Sequence, residues 1–367
     1  MGDIKLKKGT GILFVMAVLF ISSLIYLHYG DQNTLRVGIF YGSNWEVPGT
    51  VHYEILDQAI KKFESKYPNV KVEYEKGILS NDYSEWLSEQ ILKGTEPDVY
   101  LVLDEDFNTL ASLGALKNLD MLVGGDKEFD FNVFYSSVYK AGQYEGSQYA
   151  LPMECNPTLM FVNKTLLQKE GIKVPDNDWT WDDFYDICKT IVKDSDGDGQ
   201  MDQFGCYDYT WLQAVYSNGI TPFNQSGTSS NFLDEKFSQS LEFVKRLEAT
   251  NRNYQVTSND FDLGKVAFRP FTFSDYRTYM PYPWRIKKYS GFEWTCIRMP
   301  AGPSGDNRSE MSALMAGMSS RTEKKQCAWD FVKLLTTDTD IQKLVYEDTS
   351  AASVLKSCLL YTSDAAD

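Results

Sequence analysis

One stretch, residues 142–184, constrains the fold more than any other part of the chain. It begins with residues 144–149, which are typical of a short hairpin with a glycine at its turn. Residues 158–163 form an apolar run of strand length, and a helix is predicted directly after it. Thr180 and Asp183 then have the spacing of a capping box, which predicts the start of a second helix. The stretch therefore predicts an α/β arrangement in which extended segments and helices alternate.

The order of these motifs resembles the extracellular solute-binding proteins of ABC sugar importers. In that family a segment of the form G-x-x-Y-A-L-P is the first crossing between two lobes. A segment Y-N-K-x-L-F follows, and then a loop that ends in P-x-T-W-x-E-F. This chain departs mildly, with Val162, Leu167 and Asp183 where the family has tyrosine, phenylalanine and glutamate. The corresponding positions are Gly146, Tyr149, Ala150, Leu151, Pro152, Val162, Asn163, Lys164, Leu166, Leu167, Pro175, Thr180, Trp181, Asp183 and Phe184.

The chain before and after this stretch agrees with the resemblance. Residues 34–113 alternate between predicted strands and helices, as in an α/β lobe, and residues 232–247 predict a later helix. The resemblance implies a two-lobed, periplasmic-binding-protein-like fold of type II, with a ligand cleft between the lobes and one hydrophobic helix before them. We expect residues 34–150 with 292–337 to form lobe 1, and residues 151–291 with 338–357 to form lobe 2.

The N-terminal segment, residues 1–33, predicts a signal peptide or a signal anchor. Three lysines precede an uncharged apolar run over residues 11–27. Its 17 residues are at the short end of what spans a bilayer. No pair of small residues marks a cleavage site after the run, which favours an uncleaved anchor with the lysines inside. We therefore expect the protein on the outer face of the bacterial cytoplasmic membrane, or secreted if the signal is cleaved.

The last ten residues, 358–367, read CLLYTSDAAD. A back-translation of this decapeptide resembles, codon for codon, the transposon-end adapter of sequencing libraries. The apolar part shows no helical stripe that continues from the preceding segment. We expect these residues to be an adapter artefact after a truncated lobe 2, and therefore to be poorly packed.

Composition excludes several classes of function. The net charge of −15 argues against nucleic acid and against a strongly anionic ligand. There are only two histidines, which nearly excludes a histidine-based triad or a multi-histidine zinc site. Six cysteines show no C-x-x-C spacing, so buried free thiols are expected, although one disulfide stays open.

Residues 194–205 have the spacing of an EF-hand-type calcium loop, and some members of the resembled family hold calcium in such a loop. Gly199 stands at the turn, as that loop requires, but Gly205 replaces the final bidentate glutamate. The alternative is a solvated Asp/Gly turn. The expected ligands are Asp194, Asp196, Asp198, Asp202 and the backbone carbonyl of Gln200.

Candidate ligand-binding residues follow from their positions after strands, at the lobe crossing and in the second lobe. Carboxylates accept hydrogen bonds from sugar hydroxyls, and aromatic rings cover the apolar faces of sugar rings. Each aromatic could instead belong to a core, Asp104 could be a helix N-cap, and Glu154 could be solvated at the hinge rim. The candidates are Tyr41, Trp45, Asp104, Glu154, Trp211 and Tyr276.

The resemblance implies that the protein captures a carbohydrate, and we favour an oligosaccharide, for an ABC permease that imports it. We expect a monomer without enzymatic activity. Two alternatives stay open: a sensor subunit that presents its ligand to a signalling partner, and a glycosidase that uses Asp104 and Glu154 as its carboxylate pair.

Overall fold

The structure is a computed structural model, and it describes residue 16 and residues 33–45, 52–224, 227–279 and 292–358. The predicted N-terminal hydrophobic helix lies outside these residues, apart from Met16. Among the residues that the structure describes, no helix has the length and apolar character needed to cross a membrane.

Seven strands follow one another across a mixed sheet in the order β2-β1-β3-β10-β6-β8-β7, and β9 and β11 also pair with β6. β1 lies parallel to β2 and β3, whereas β10 is antiparallel to both β3 and β6. A separate hairpin, β4 with β5, confirms the predicted turn. The strands are β1 (Thr34–Gly38), β2 (Lys71–Tyr74), β3 (Val99–Val102), β4 (Gln143–Tyr144), β5 (Ser147–Gln148), β6 (Ala150–Asn163), β7 (Phe204–Cys206), β8 (Val266–Thr272), β9 (Trp294–Ile297), β10 (Met311–Met318) and β11 (Ala352–Ser353).

Helices alternate with these strands, and several begin at the polar residues that the sequence singles out. Thr180 and Asp183 form the predicted capping box, in which the Thr180 backbone N–H donates a 2.8 Å hydrogen bond to Oδ2 of Asp183. The α-helices are α1 (His52–Lys66), α2 (Tyr83–Lys93), α3 (Asp104–Ser112), α4 (Asp120–Gly125), α5 (Ser136–Ala141), α6 (Lys164–Lys169), α7 (Trp181–Ile191), α8 (Trp211–Ser217), α9 (Glu235–Glu248), α10 (Ser258–Asp262), α11 (Phe273–Tyr279), α12 (Lys325–Thr337) and α13 (Thr339–Asp348).

β6 is the strand around which the fold is organised. Its first part pairs with β10 and β11, and its last part pairs with β8 and β9. The register against β10 shifts so that Leu314 faces Glu154 and Met315 faces Pro152, which leaves Met153 as an extra residue in β6. Such a bulge bends a strand and redirects the neighbouring side chains. β6 therefore carries a local irregularity immediately before Glu154, where it passes from one half of the sheet to the other.

Two large hydrophobic cores lie on the two sides of this crossing. The first core contains β1, β3, β10 and α12, and we call the elements around it the first lobe. The second contains α7, α9 and the last part of β6, and defines the second lobe. Two segments pack differently from their predicted lobes: Ile297 and Met299 join the second core, whereas Ile341 and Val345 join the first. The full division of the chain into lobes stays a prediction.

A smaller cluster lies where the last described residues meet α5 and β6. Cys358 is 7% exposed and packs in this cluster with Phe134 and Leu355. The expected poor packing is therefore wrong for Cys358, because apolar partners surround it, while residues 359–367 lie outside the described part of the chain. All six cysteines carry free thiols; four are buried as expected, whereas Cys296 and Cys327 are only half-buried.

Candidate functional site

A hydrogen bond joins two of the predicted ligand residues. Trp45 is half-buried in the loop after β1, and its Nε1 donates a 2.8 Å hydrogen bond to Oε2 of Glu154. Glu154 is fully buried on β6, directly after the bulge. The alternative that Glu154 is solvated at the hinge rim is therefore wrong. A buried carboxylate needs such donors, because removal from water is costly without them.

Asp104 lies at the end of β3 and is the first residue of α3. The N-cap residue is Leu103, so the alternative role of Asp104 as the N-cap is wrong. Although its side chain keeps contact with solvent, partial burial and the negative charges of Glu105 and Glu310 raise the pKa of Asp104 to about 6. The backbone N–H of Ala313, on β10, donates a hydrogen bond to this carboxyl, which by itself lowers the pKa of Asp104.

Glu310 and Tyr216 complete this group, and neither was predicted. Glu310 precedes β10, where its carbonyl oxygen accepts a 3.0 Å hydrogen bond from the Thr158 backbone N–H in the middle of β6. Burial raises the pKa of the Glu310 carboxyl. Tyr216 belongs to α8 of the second lobe, and burial together with the charges of Glu310 and Asp104 raises its pKa. The charges of both carboxyls therefore reach Tyr216, and we treat these three residues as candidates for the space between the lobes.

The remaining three candidates contact neighbouring aromatic rings. Tyr41 is 45% exposed, and its ring centroid is 5.7 Å from that of Tyr53. Tyr276, on α11, lies 5.3 Å from the ring of Trp294. Trp211 is 40% exposed as the first residue of α8, and its ring centroid is 5.7 Å from that of Phe237. Ligand binding by these three residues stays a prediction.

The predicted calcium loop brings three carboxylates together. One carboxylate oxygen from each of Asp194, Asp196 and Asp198 lies within 4.8 Å of the others. Backbone N–H groups of Gly197 and Gly199 donate to Asp194, at 2.6 and 2.7 Å, and both glycines adopt positive φ. These donors hold the loop tight and also lower the pKa of the Asp194 carboxyl, the Gly199 bond most strongly. Alternating carboxylate oxygens on such a loop suit a hard cation such as Ca²⁺.

The other end of the loop differs from an EF-hand for a structural reason. Asp202 accepts hydrogen bonds from the backbone and the hydroxyl of Ser195, at 3.0 and 2.7 Å, and so lies apart from the three converging carboxylates. Gly205 is already part of β7, where a Cβ atom would lie only 2.4 Å from Cβ of Cys188. No glutamate fits there, so the donor set matches the first half of a calcium loop better than the second.

Comparisons with known proteins agree with this architecture. A solved structure of the sugar-binding protein MalE from Xanthomonas citri has a TM-score of 0.72 at 17% identity, covering 91% of this chain and 82% of that one. The ABC substrate-binding protein Lmo0181 from Listeria monocytogenes, solved with cycloalternan, has a TM-score of 0.60 at 22% identity, covering 88% of this chain and 79% of that one. The predicted two-lobed α/β fold is thereby confirmed.

Sequence comparison identifies the family. A curated relative, the multiple sugar-binding protein of Streptococcus mutans, is 28% identical over 138 residues, which is 37% of this chain and only 30% of that protein's length. The sequence profile of the bacterial extracellular solute-binding proteins matches residues 48–341, which include most of both lobes and the whole of β6. The chain therefore belongs to the family of bacterial extracellular solute-binding proteins.

Proposed function

We propose that this protein captures an oligosaccharide outside the cytoplasm and delivers it to an ABC permease for import. The observation that carries this proposal is the hydrogen bond between Trp45 and Glu154, and the charges of Asp104 and Glu310 that act on Tyr216 of the second lobe support it. Similar proteins include a multiple sugar-binding protein and a substrate-binding protein solved with cycloalternan. Both are binding proteins, which supports a binding function over glycoside hydrolysis.

The chemistry of the group suits sugar hydroxyls. A carboxylate accepts several hydrogen bonds, and a carboxylic acid with a pKa of about 6, as at Asp104, can also donate one when protonated. Tyr216 supplies a phenol hydroxyl from the opposite lobe. Because the ligand would bridge residues of both lobes, binding would favour closure of the lobes about β6. Closure would in turn create the surface that the permease recognises, and a monomer is sufficient for this cycle.

We propose that residues 1–33 keep the protein at the outer face of the cytoplasmic membrane as an uncleaved anchor. The sequence pattern of lysines before an apolar run supports this. Processed protein in the culture medium, with an N-terminus beyond residue 27, would contradict the anchor.

We also propose a structural Ca²⁺ ion in the loop of the second lobe. Asp194, Asp196 and Asp198 would hold it through carboxylate oxygens, with Gln200 adding a carbonyl, and Asp202 would have to exchange its hydrogen bonds with Ser195 for the ion to join them. The support is the convergence of the first three carboxylates on one side of the loop. The ion would offset their mutual repulsion and hold the loop against the second lobe.

A thermal-shift screen tests the proposed ligand class. The full chain in detergent is melted with neutral oligosaccharides, single amino acids and short peptides at equal concentrations. A ligand that binds only the folded state stabilises it, by about 2.7 kcal/mol at 100 times its dissociation constant. We expect at least one oligosaccharide to raise the melting temperature. A rise with amino acids or peptides and with no sugar would contradict the proposal.

A further inference from the structure

A row of aromatic rings leads away from the space between the lobes over the second lobe. We call it the aromatic track, and it consists of Trp211, Phe237, Phe232 and Phe223. The ring centroids of successive members lie 5.7, 5.0 and 5.4 Å apart. Phe237 is buried in α9 and anchors the row, whereas Trp211, Phe232 and Phe223 are 40%, 45% and 51% exposed. Three neighbouring large rings that each keep about half of their surface in water need an explanation, because scattered single residues are the norm.

The aromatic track is continuous with the candidate cleft. A cavity of 570 Å³ lies beside the two end members of the track, Trp211 and Phe223, and its walls also include Tyr216 further along α8. Tyr216 lines this cavity and also lies within reach of the charges of Asp104 and Glu310. The full lining is Trp211, Leu212, Tyr216, Thr221, Pro222, Phe223 and Asn224. A ligand held beside Tyr216 could therefore extend along the track.

The backbone beside Phe223 is held in place. Phe223 forms an isolated antiparallel bridge with Ser230. Oδ1 of Asn224 accepts hydrogen bonds from the backbone N–H groups of Thr228 and Ser229, at 2.8 and 3.2 Å. The Phe223 ring is therefore presented from a turn that is fixed on both sides, and a preorganised ring binds at lower entropic cost.

We propose that the aromatic track binds the outer rings of a carbohydrate chain whose inner rings occupy the cleft. This inference rests on the proposed function and specifies its substrate class as a chain of several sugar units. Exposed ring faces pack against the apolar faces of sugar rings, while the hydroxyl and amide groups of Thr221 and Asn224 border the same cavity. Continuity with the cleft favours a carbohydrate over a second copy of the protein.

A ladder of linear oligosaccharides tests this proposal. Dissociation constants are measured by isothermal titration calorimetry for malto- and manno-oligosaccharides of two to seven units, in the full chain and in Phe223→Ala and Phe232→Ala. In the unmodified chain, the affinity should rise with length beyond the shortest chain that binds. Each variant should lose about three- to tenfold in affinity for the longest chains, which corresponds to one aromatic contact, and little for the shortest. Leu233→Ala is the matched control, since Leu233 is fully exposed beside Phe232.

Four results would overturn the proposal. An affinity that stays the same from the shortest to the longest chain contradicts only the aromatic track, and so does an equal loss for all lengths in Phe223→Ala. If the unmodified chain self-associates and both phenylalanine variants abolish this, the track is a protein interface instead. If no oligosaccharide of any length binds, the proposed function itself fails. Circular dichroism of each variant separates these results from a loss of fold.

Discussion

The indole Nε1 of Trp45 donates a 2.8 Å hydrogen bond to Oε2 of the fully buried Glu154. This bond connects the loop after β1 to β6, the strand that both lobes share. It fixes the direction of a carboxylate whose position already depends on the bulge at Met153. A carboxylate held in this way is preorganised to accept hydrogen bonds from a ligand.

Replacing Trp45 by phenylalanine should weaken ligand binding, and it should also lower the stability of the fold because buried Glu154 loses a donor. Hydrogen bonds to charged groups contribute about 1.5–3 kcal/mol, so we expect a loss of roughly tenfold or more in affinity by calorimetry. Trp86→Phe is a suitable control, because Trp86 stacks on Tyr83 and packs against the first core. Equal affinity in Trp45→Phe and in the unmodified chain would show that this bond has no role in binding.

Asp104 should make the protein less stable as the pH rises from about 4 to about 6. Because its pKa is raised from the ordinary value to about 6, the folded state holds this proton more tightly than the unfolded chain. The contribution of Asp104 to the free energy of unfolding is thus fully present below about pH 4 and is lost as the pH passes 6. This contribution is small, because the Asp104 side chain keeps contact with solvent.

Urea denaturation of Asp104→Asn between about pH 4 and pH 7 tests whether Asp104 causes this pH dependence of stability. The variant should show a flatter dependence of stability on pH between 4 and 6 than the unmodified chain. At pH 7 it should be equally or more stable. The same slope in both proteins would mean that another group is responsible.

Asp126, in contrast to Asp104, should make the protein more stable as the pH rises, and it should do so over a more acidic range. Burial alone would raise the pKa of its carboxyl, but Lys333, with Nζ 2.5 Å from Oδ2, and the Trp329 indole lower it to about 2. The stabilisation is therefore present above about pH 4 and is lost as the pH falls towards 2. At pH 7, Asp126→Asn should lower the free energy of unfolding by about 1–2 kcal/mol. Asp178→Asn, an exposed acid in the loop before α7, is the control.

Structural features that depend on residues close together in the sequence were predicted better than contacts between distant residues. The capping box at Thr180 and the hairpin before β6 were predicted, because their signals come from residues a few positions apart. The helix predicted over 232–247 instead begins at Glu235, since the Asp234 side chain accepts a hydrogen bond from the Lys236 backbone N–H and caps it there.

Residues brought together from distant parts of the chain were harder to predict. Trp45 and Glu154 were both candidates, but their hydrogen bond depends on how β1 and β6 lie in the sheet. Tyr216 and Glu310 were missed because no local motif marks either one, and their proximity arises only when the lobes face each other. The packing of Ile341 in the first lobe was also missed, because an amphipathic helix does not specify which core it covers.

Removal of calcium should destabilise the second lobe. With three carboxylates converging on one loop, the loss of a bound cation would leave their repulsion uncompensated. We expect a chelator to lower the melting temperature of the unmodified protein by about 1–3 °C, which corresponds to about 1–2 kcal/mol for a chain of this size. Asp196→Asn should abolish this sensitivity, whereas Asp176→Asn, an exposed acid elsewhere in the same lobe, should keep it. Identical melting with calcium and with chelator would contradict the ion.

The central claim is that the group between the lobes binds an oligosaccharide, and calorimetric titration of Glu154→Gln tests it most directly. Glutamine keeps the size of the side chain but removes the charge that strengthens hydrogen bonds from sugar hydroxyls. The oligosaccharide that best stabilises the unmodified chain should bind it with a stoichiometry of one, and the Glu154→Gln variant should bind at least tenfold more weakly while remaining folded. Unchanged binding in the folded variant, or no binding of any oligosaccharide to the unmodified chain, would contradict the account.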